Sequence, residues 1–307
     1  MTAFPLPMSL PVPARPAMRA LGDHERPLTA EQFFRVQEWI YRRTGIRFGD
    51  NKHYFVDKRV QACVHEHGGD FDAWFGSLRL GDHARWAQQL INELTVNETY
   101  FLREDRQFGD LVTTVLPRIL AERRATGSRE PIRILSLPCS TGEEPYSIGL
   151  RLLEEWPDID HVDVEIVAGD IDTRVLGIAR RGEYGARSMQ KVSQQIRSRW
   201  FDRIGPETHR VKAELRDSIE FTVVNLCETD AMRAFRQFDV AFCRNLLIYF
   251  DQVSSRRAAE NLYGALRPGG YLFIGDSESM SRITPVFQPA RLPRGIVYQR
   301  PATGAAR

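Results

Sequence analysis

The stretch Leu135-Ser-Leu-Pro-Cys-Ser-Thr-Gly-Glu-Glu-Pro-Tyr-Ser-Ile148 decides how this chain is read. In it an apolar strand breaks into a loop of small residues that runs directly into an amphipathic helix. Small side chains at Ser140, Thr141 and Gly142 let backbone N–H groups come close to a ligand. The unpaired N–H groups of a helix starting near Glu144 face the same spot, an arrangement that suits a nucleoside cofactor. Glu143 and Glu144 put negative charge where a dinucleotide-binding turn would take pyrophosphate. A cationic ligand without phosphates fits better, and S-adenosylmethionine, whose reactive centre is a sulfonium, is the candidate.

Outward from that loop the pattern alternates. Strands are expected at 132–137 and 164–168, with a helix at about 145–156 between them and Gly169-Asp170 closing the second strand. Strand–helix alternation implies an α/β fold with a parallel sheet and ligands at the carboxyl ends of the strands. Asp170 stands where an acidic side chain accepts hydrogen bonds from ribose hydroxyls, while Asp172 and Thr173 are free to cap the next helix. Phe238-Asp-Val-Ala-Phe-Cys-Arg-Asn245 reads as another strand leaving into polar residues. A helix at about 254–266, an Arg267-Pro-Gly-Gly270 turn and strands at 271–274 and 296–299 follow. Between about 185 and 224 the pattern changes. Residues 188–201 look helical, whereas Arg210-Val-Lys-Ala-Glu-Leu-Arg216 and Ile219-Glu-Phe-Thr-Val223 alternate at period two, as in a small antiparallel insertion with an exposed docking face.

Upstream, residues 1–27 are rich in proline and small residues and read as a mobile tail. Thr29 and Gln32 stand at capping-box spacing ahead of Phe33, Val36 and Ile40, with Gly45 placed to end that helix. Helices at about 51–67, 71–80 and 83–94 follow, the first stopped by Gly68 and Gly69, the others capped by Asp70 and Asp82. Residues 28–95 thus form a small all-α domain. Residues 96–130 connect it to an α/β domain at 131–301, through a helix that Pro117 should kink or divide and a charged spacer at 122–130.

Composition excludes several classes. The 307 residues hold 42% apolar side chains, enough for two cores, and Lys plus Arg number 42 against 40 Asp plus Glu, so nucleic acid is not the expected partner. Cys63, Cys139, Cys227 and Cys243 lack C-x-x-C spacing, which suits free thiols in a reducing compartment and hence a cytoplasmic protein. No apolar run reaches bilayer length, and prolines interrupt the N-terminus where a signal peptide would be continuous. Cys63 and His67 share a helical face without His65, and two ligands do not make a zinc site, so no metal is expected. The nucleophile elbow, the H-E-x-x-H zinc motif, the phosphate loop and G-x-G-x-x-G are all missing.

Three further segments carry polar groups toward the expected cleft. Asn97, Thr99 and Arg103 are interleaved with Tyr100, Phe101 and Leu102, though such a run also serves as a linker whose Arg pairs with a surface carboxylate. Asn245, Leu246 and Tyr249 follow a strand exit, where Asn is also a turn residue and Tyr also packs in cores. Asn225-Leu226 ends the segment at 221–224.

Five motifs in one order, Asn97-Glu-Thr-Tyr-Phe-Leu-Arg-Glu104, Cys139-Ser-Thr-Gly-Glu-Glu-Pro-Tyr-Ser147, Gly169-Asp-Ile-Asp172, Phe242-Cys-Arg-Asn-Leu-Leu-Ile-Tyr-Phe250 and Leu266-Arg-Pro-Gly-Gly270, resemble the CheR family of chemotaxis receptor glutamate O-methyltransferases over residues 28–300. The resemblance implies a Rossmann-like S-adenosylmethionine-dependent methyltransferase sheet with a helical N-terminal domain and a β-subdomain inserted at about 185–224. It implies cofactor contacts at Asn97, Thr99, Arg103, Glu144, Asp170, Asn225, Leu226, Asn245 and Leu246. Arg103 and Tyr249 would face the substrate carboxylate, S-adenosylhomocysteine would be the co-product, and the partner would be the cytoplasmic helical domain of a methyl-accepting receptor, met by a monomer. Alternatives are a methyltransferase with another acceptor and a non-catalytic cofactor-sensing or array-binding module. Three departures stand out. Pro138 occupies the cofactor loop where a small residue is usual. The helix at 51–67, basic in the family, mixes Lys52, Lys58 and Arg59 with Asp57 and Glu66. The segment from Phe201 to Phe221 is short, which points away from dependence on a receptor's C-terminal pentapeptide tether.

Overall fold

A computed structural model describes residues 27–49, 52–78 and 84–302. The expected tail, apart from Pro27, and the expected cap Asp82 lie outside the described residues. Helix α1 (Ala30–Thr44) opens on the capping box read in the sequence. Thr29 Oγ1 accepts the Gln32 N–H at 3.2 Å and Gln32 Oε1 accepts the Thr29 N–H at 3.0 Å, so two otherwise unpaired donors are satisfied reciprocally. Gly45 ends it at φ 76°, where a Cβ would lie 2.7 Å from Cys227 Sγ, so both backbone conformation and close approach demand glycine. Helices α2 (His53–Glu66), α3 (Phe71–Ser77) and α4 (Ala84–Leu94) follow, α3 capped by Asp70 as expected. Val36, Ile40, Val56, Val60, Trp74, Leu90 and Leu94 from the four helices bury into one core.

The connecting rod consists of α5 (Arg106–Asp110), a π-helical turn at Leu111–Val115 and α6 (Leu116–Thr126). Pro117 sits just past the π turn. A proline cannot donate to the turn before it, and the widened turn is where the ladder absorbs that loss. The charged spacer is half helix: α6 runs to Thr126, because Arg123 and Glu122 find Asp239 and Arg267 on the sheet domain.

The sheet domain runs β1 (Ile132–Ser136), α7 (Glu143–Glu155), β2 (Val164–Asp170), α8 (Thr173–Arg181), β3 (Glu183–Tyr184), α9 (Gln194–Trp200), β4 (Phe201–Arg203), β5 (His209–Val211), α10 (Ala213–Arg216), β6 (Ile219–Val223), α11 (Thr229–Met232), β7 (Phe238–Cys243), α12 (Gln252–Ala265), β8 (Leu266–Ile274), β9 (Gln288–Leu292) and β10 (Gly295–Gln299). The main sheet has the order β6-β2-β1-β7-β8-β10-β9; pairings through β8 are parallel, and β10 and β9 close it antiparallel. Alternate residues feed opposite layers: Ile132, Ile134, Val240 and Phe242 face one core, Leu135, Leu137, Ala241 and Cys243 the other.

Four expectations need correction. The antiparallel insertion is the small sheet β3-β5-β4 alone, and 219–223 is instead the parallel edge strand β6, in register Ile166↔Ile219 to Asp170↔Val223. At the sheet edge side chains are less covered, and exposed Glu220 follows buried Ile219, so β6 alternates as an antiparallel strand would and periodicity cannot separate the two. Within 210–216 only the first two residues are strand, and a helical turn follows. Helix 188–201 shortens to α9, which Ser193 caps at Ile196 N–H. Arg267-Pro-Gly-Gly270 is no free turn but lies inside β8, where a Cβ on Gly270 would meet the Arg267 carbonyl at 2.9 Å. The sequence reading also passed over β9, whose mostly exposed Gln288–Leu292 shows little apolar pattern.

Polar contacts seat the helices on the sheet domain from two sides. Tyr41 donates to Asp251 at 2.8 Å and the Arg47 N–H to the Tyr249 carbonyl at 3.2 Å. On the other side Asn92 donates to Thr173 at 3.0 Å and Thr95 to Asp172 at 2.7 Å. Between these two clasps lies a cleft.

Candidate functional site

The strand order reverses at β1, whose neighbours β2 and β7 lead to opposite edges; loops leaving the carboxyl ends of adjacent strands diverge there and open a crevice. The cleft sits over that point, with about 1060 Å³ of empty space including its open mouth. Its walls come from the exits of β1 (Leu137, Pro138, Cys139, Ser140), β2 (Asp170, Ile171), β6 (Val224, Asn225, Leu226) and β7 (Arg244, Asn245, Leu246, Tyr249, Phe250). The segment 94–103 and the N-terminal-domain residues Thr44, Ile46 and Phe48 cover it. Asn97, Thr99, Arg103, Glu144, Asp170, Asn225, Leu226, Asn245, Leu246 and Tyr249 all line this one cleft.

The β1 loop owes its shape to backbone that few side chains tolerate. Ser140 has φ 49° and Gly142 φ 93°; a Cβ on Gly142 would come within 2.8 Å of Ala179 Cβ. The Leu137–Pro138 peptide is cis. Asp170 holds the loop down: one carboxylate oxygen accepts the Ser140 N–H at 2.8 Å and the other the Asp172 N–H at 2.9 Å. Burial pushes the Asp170 carboxyl up to about 6, against the pull of those backbone donors. The Ile171 N–H also bonds this carboxylate, which leaves it one acceptor site for a further donor. Asp172 caps α8 at Arg174 and Val175, as read in the sequence, and also accepts from Asn97 at 2.8 Å.

Glu143 and Glu144 part company. Glu143 turns inward to Thr141 (2.6 Å) and Ser188 (2.8 Å), so it adds no charge to the cleft wall, and burial raises its carboxyl. Of the two acids expected to put negative charge at this turn, Glu144 alone lines the cleft, accepting from Ser136 at 2.7 Å and pairing with Arg244 at 3.1 Å. Arg244, with a side chain 2% exposed, reaches Glu104 at 3.2 Å as well, donates to the Arg103 carbonyl and lies 5.1 Å from the centre of the Phe108 ring. Glu278 gathers the N–H groups of Asn245 (2.9 Å), Leu247 (2.7 Å) and Gly275 (2.7 Å), fixing the β7 exit. Sequence reasoning singled out neither Arg244 nor Glu278. The first was visible as a cation directly after the apolar run at 240–243; the second carried no signal.

Strain concentrates here. Among the described residues, non-glycine residues with positive φ are Leu102, Glu104, Ser140, Asn245 and Gln237, and all but the last belong to the cleft or the segment beside it. Conformations of that cost persist where surrounding bonds over-determine them. At the mouth, Arg103 donates to the Glu98 carbonyl at 2.7 Å. Burial raises the Tyr249 phenol, with the Arg103 cation opposing, so its hydroxyl remains a donor at neutral pH. Asn225 donates to the Arg43 carbonyl and accepts from the Cys227 N–H, so its side chain already serves the structure. Ser140 Oγ is buried with no partner, an orphaned polar atom on the cleft wall. An unpaired hydroxyl and a carboxylate with one spare acceptor site suit a hydroxyl-bearing nucleoside. No cluster of side chains able to hold a metal ion occurs among the described residues, and none of the described helices is long and apolar enough to cross a membrane.

The family described as the CheR methyltransferase, SAM binding domain, matches residues 97–296, and the CheR methyltransferase, all-alpha domain, matches residues 31–95. Chemotaxis protein methyltransferase 2 of Vibrio cholerae is 43% identical over 279 residues, 90% of this chain and 95% of that protein. The protein of the same description from Pseudomonas aeruginosa is 38% identical over 89% of this chain and 93% of its own length. Chemotaxis protein methyltransferase 1 of the latter organism is 33% identical over 87% of this chain and 96% of its own length.

Proposed function

This chain belongs to the CheR family of S-adenosylmethionine-dependent chemotaxis methyltransferases, and from that premise we propose that it esterifies glutamate side chains on the helical cytoplasmic region of a chemoreceptor, in the cytoplasm, leaving glutamate methyl ester and S-adenosylhomocysteine. The observation that supports this most is that Arg103 and Tyr249 line the same cleft as Asp170 and Glu144. An arginine and a protonated phenol side by side are a carboxylate receptor.

The bound donor supplies a methyl group on an electrophilic sulfonium. Asp170 would accept from a ribose hydroxyl, and Asn97, Thr99, Glu144, Leu226, Asn245 and Leu246 would hold the rest, with Asn225 contributing through its backbone because its side chain is bonded to Arg43 and Cys227. A glutamate carboxylate, with an ordinary pKa of about 4.3, is ionised at neutral pH and is the nucleophile without a general base. Arg103 and Tyr249 therefore orient it by charge-assisted hydrogen bonds and need not activate it. The helical cover excludes water from the line of attack and brings near-attack geometry within reach.

The small β3-β5-β4 sheet closes through a tight Ile204–Thr208 turn, with Thr208 accepting from both Ile204 (3.0 Å) and Gly205 (3.2 Å). So short a hairpin supports tether-independent action, and tight calorimetric binding of a receptor C-terminal pentapeptide would refute it. The main test is chemical. Membranes of the source cell, incubated with methyl-labelled donor and enzyme, should acquire label on receptor bands that mild alkali releases as methanol; alkali-stable label would mean an N-methyl product and defeat the proposal.

A further inference from the structure

Beyond the cleft wall, the turn at 185–192 lies against the segment 97–103. The Phe101 N–H donates to the Ser188 carbonyl at 3.0 Å, and Ser188 Oγ donates to buried Glu143 at 2.8 Å, so this turn is fixed to the start of α7. It carries two exposed cations four residues apart. Arg187 pairs with Glu98 at 2.8 Å, and the Lys191 ammonium sits 5.2 Å from the centre of the Tyr100 ring, which Arg103 approaches at 6.0 Å from its own position. Lys191 has no carboxylate partner among the described residues. Glu98 and Tyr100 both line the cleft and both contact Arg103, so the two cations stand one residue removed from it.

Resting on the reading that the acceptor is a glutamate of a helix, we propose that Arg187 and Lys191 form a cationic lip that binds a second carboxylate of the same acceptor helix, and that Glu98 holds Arg187 until it arrives. The Arg187–Glu98 pair is exposed at both ends, 79% and 68%, and an exposed pair of this kind is weak and screened by salt. Exchange of Glu98 for a substrate carboxylate is therefore nearly free of cost. On a helix, carboxylates three or four residues apart share a face. An acceptor with such a pair presents one to Arg103 and Tyr249 and the other to the lip. The lip thus selects acidic helices over isolated glutamates, and it acts on acceptor affinity without touching the methyl group.

The experiment measures KM and kcat for alkali-labile methylation of source-cell membranes by wild type and by Arg187→Ala, Lys191→Ala and Glu98→Gln, with S-adenosylhomocysteine affinity by calorimetry as a control. Rim charges act mainly on association, so each cation variant should raise KM roughly fivefold to tenfold, with kcat and S-adenosylhomocysteine affinity within about twofold of wild type. Glu98→Gln should lower KM, because Arg187 is released. A structural strut would behave otherwise: removing either partner would move KM the same way, and that result, or equal KM in all four proteins, overturns the lip alone. Absence of alkali-labile label with the wild-type enzyme overturns the acceptor reading, and the lip falls with it.

Discussion

Arg244 and Glu144 form a buried ion pair, Nη1 to Oε2 3.1 Å, that ties the exit of β7 to the first turn of α7. Glu104 shares the same guanidinium at 3.2 Å, so three segments of the cleft wall meet on one cation.

Removing that cation leaves two largely buried carboxylates facing each other. Arg244→Ala should lose about 3–5 kcal/mol of stability, the usual penalty for orphaning a buried charge. Urea unfolding followed by circular dichroism measures it. A loss of less than about 1 kcal/mol would mean that water reaches Glu104 and Glu144 and the pair is not what holds the wall.

Asp170 links affinity to pH. Its folded-state carboxyl, raised to about 6 from an ordinary 3.8, favours the protonated form, so this group's contribution to stability is present below about 4 and lost as pH rises through 6. Ribose hydroxyls need the ionised form. Calorimetric affinity for S-adenosylhomocysteine should therefore be flat above pH 7 and fall roughly tenfold per unit below pH 6, since one proton must leave. Asp170→Ala should remove that dependence along with most of the affinity.

How much of this was legible in the chain differs from segment to segment. The strand–loop–helix at 135–148, the capping box at Thr29 and Gln32 and the Asp172 cap all rest on local chemistry, where neighbours in sequence are partners in space. The residues around the cleft could be named because the motifs lie at strand exits, and the topology brings those exits together. What escaped depends on distant partners. Glu278 works on Asn245 from 33 positions away, and Arg244 on Arg103 from 141. Strand β6 was misplaced because edge exposure and antiparallel pairing leave the same alternation in the sequence.

Arg103→Ala and Tyr249→Phe should separate orientation from donor binding. A hydrogen bond to a charged group is worth about 1.5–3 kcal/mol, so Arg103→Ala should lower kcat/KM by roughly 10- to 150-fold. Tyr249→Phe, which loses one hydroxyl donor, should lower it by about tenfold and leave S-adenosylhomocysteine affinity unchanged. Unaltered acceptor kinetics in both variants would remove these residues from the carboxylate site.

The clasp at Tyr41 can be probed alone. Tyr41→Phe deletes one hydroxyl bonded to Asp251 at 2.8 Å, while Asp251 keeps its cap on Ser254. A cost of about 1–2 kcal/mol is expected in chemical unfolding, with the far-ultraviolet spectrum unchanged. An unaltered midpoint would show that the contact carries no weight in seating the helices.

That clasp joins positions 210 residues apart. At an elongation rate of about 5–20 residues per second, α1 leaves the ribosome roughly 10–40 s before Asp251 is made. The four helices have a core of their own to fold around during that wait, but the roof they form has nothing to cover until β7 and α12 emerge. The donor site is thus completed late in synthesis, and a nascent chain passes most of its elongation unable to hold the ligand that the finished protein uses.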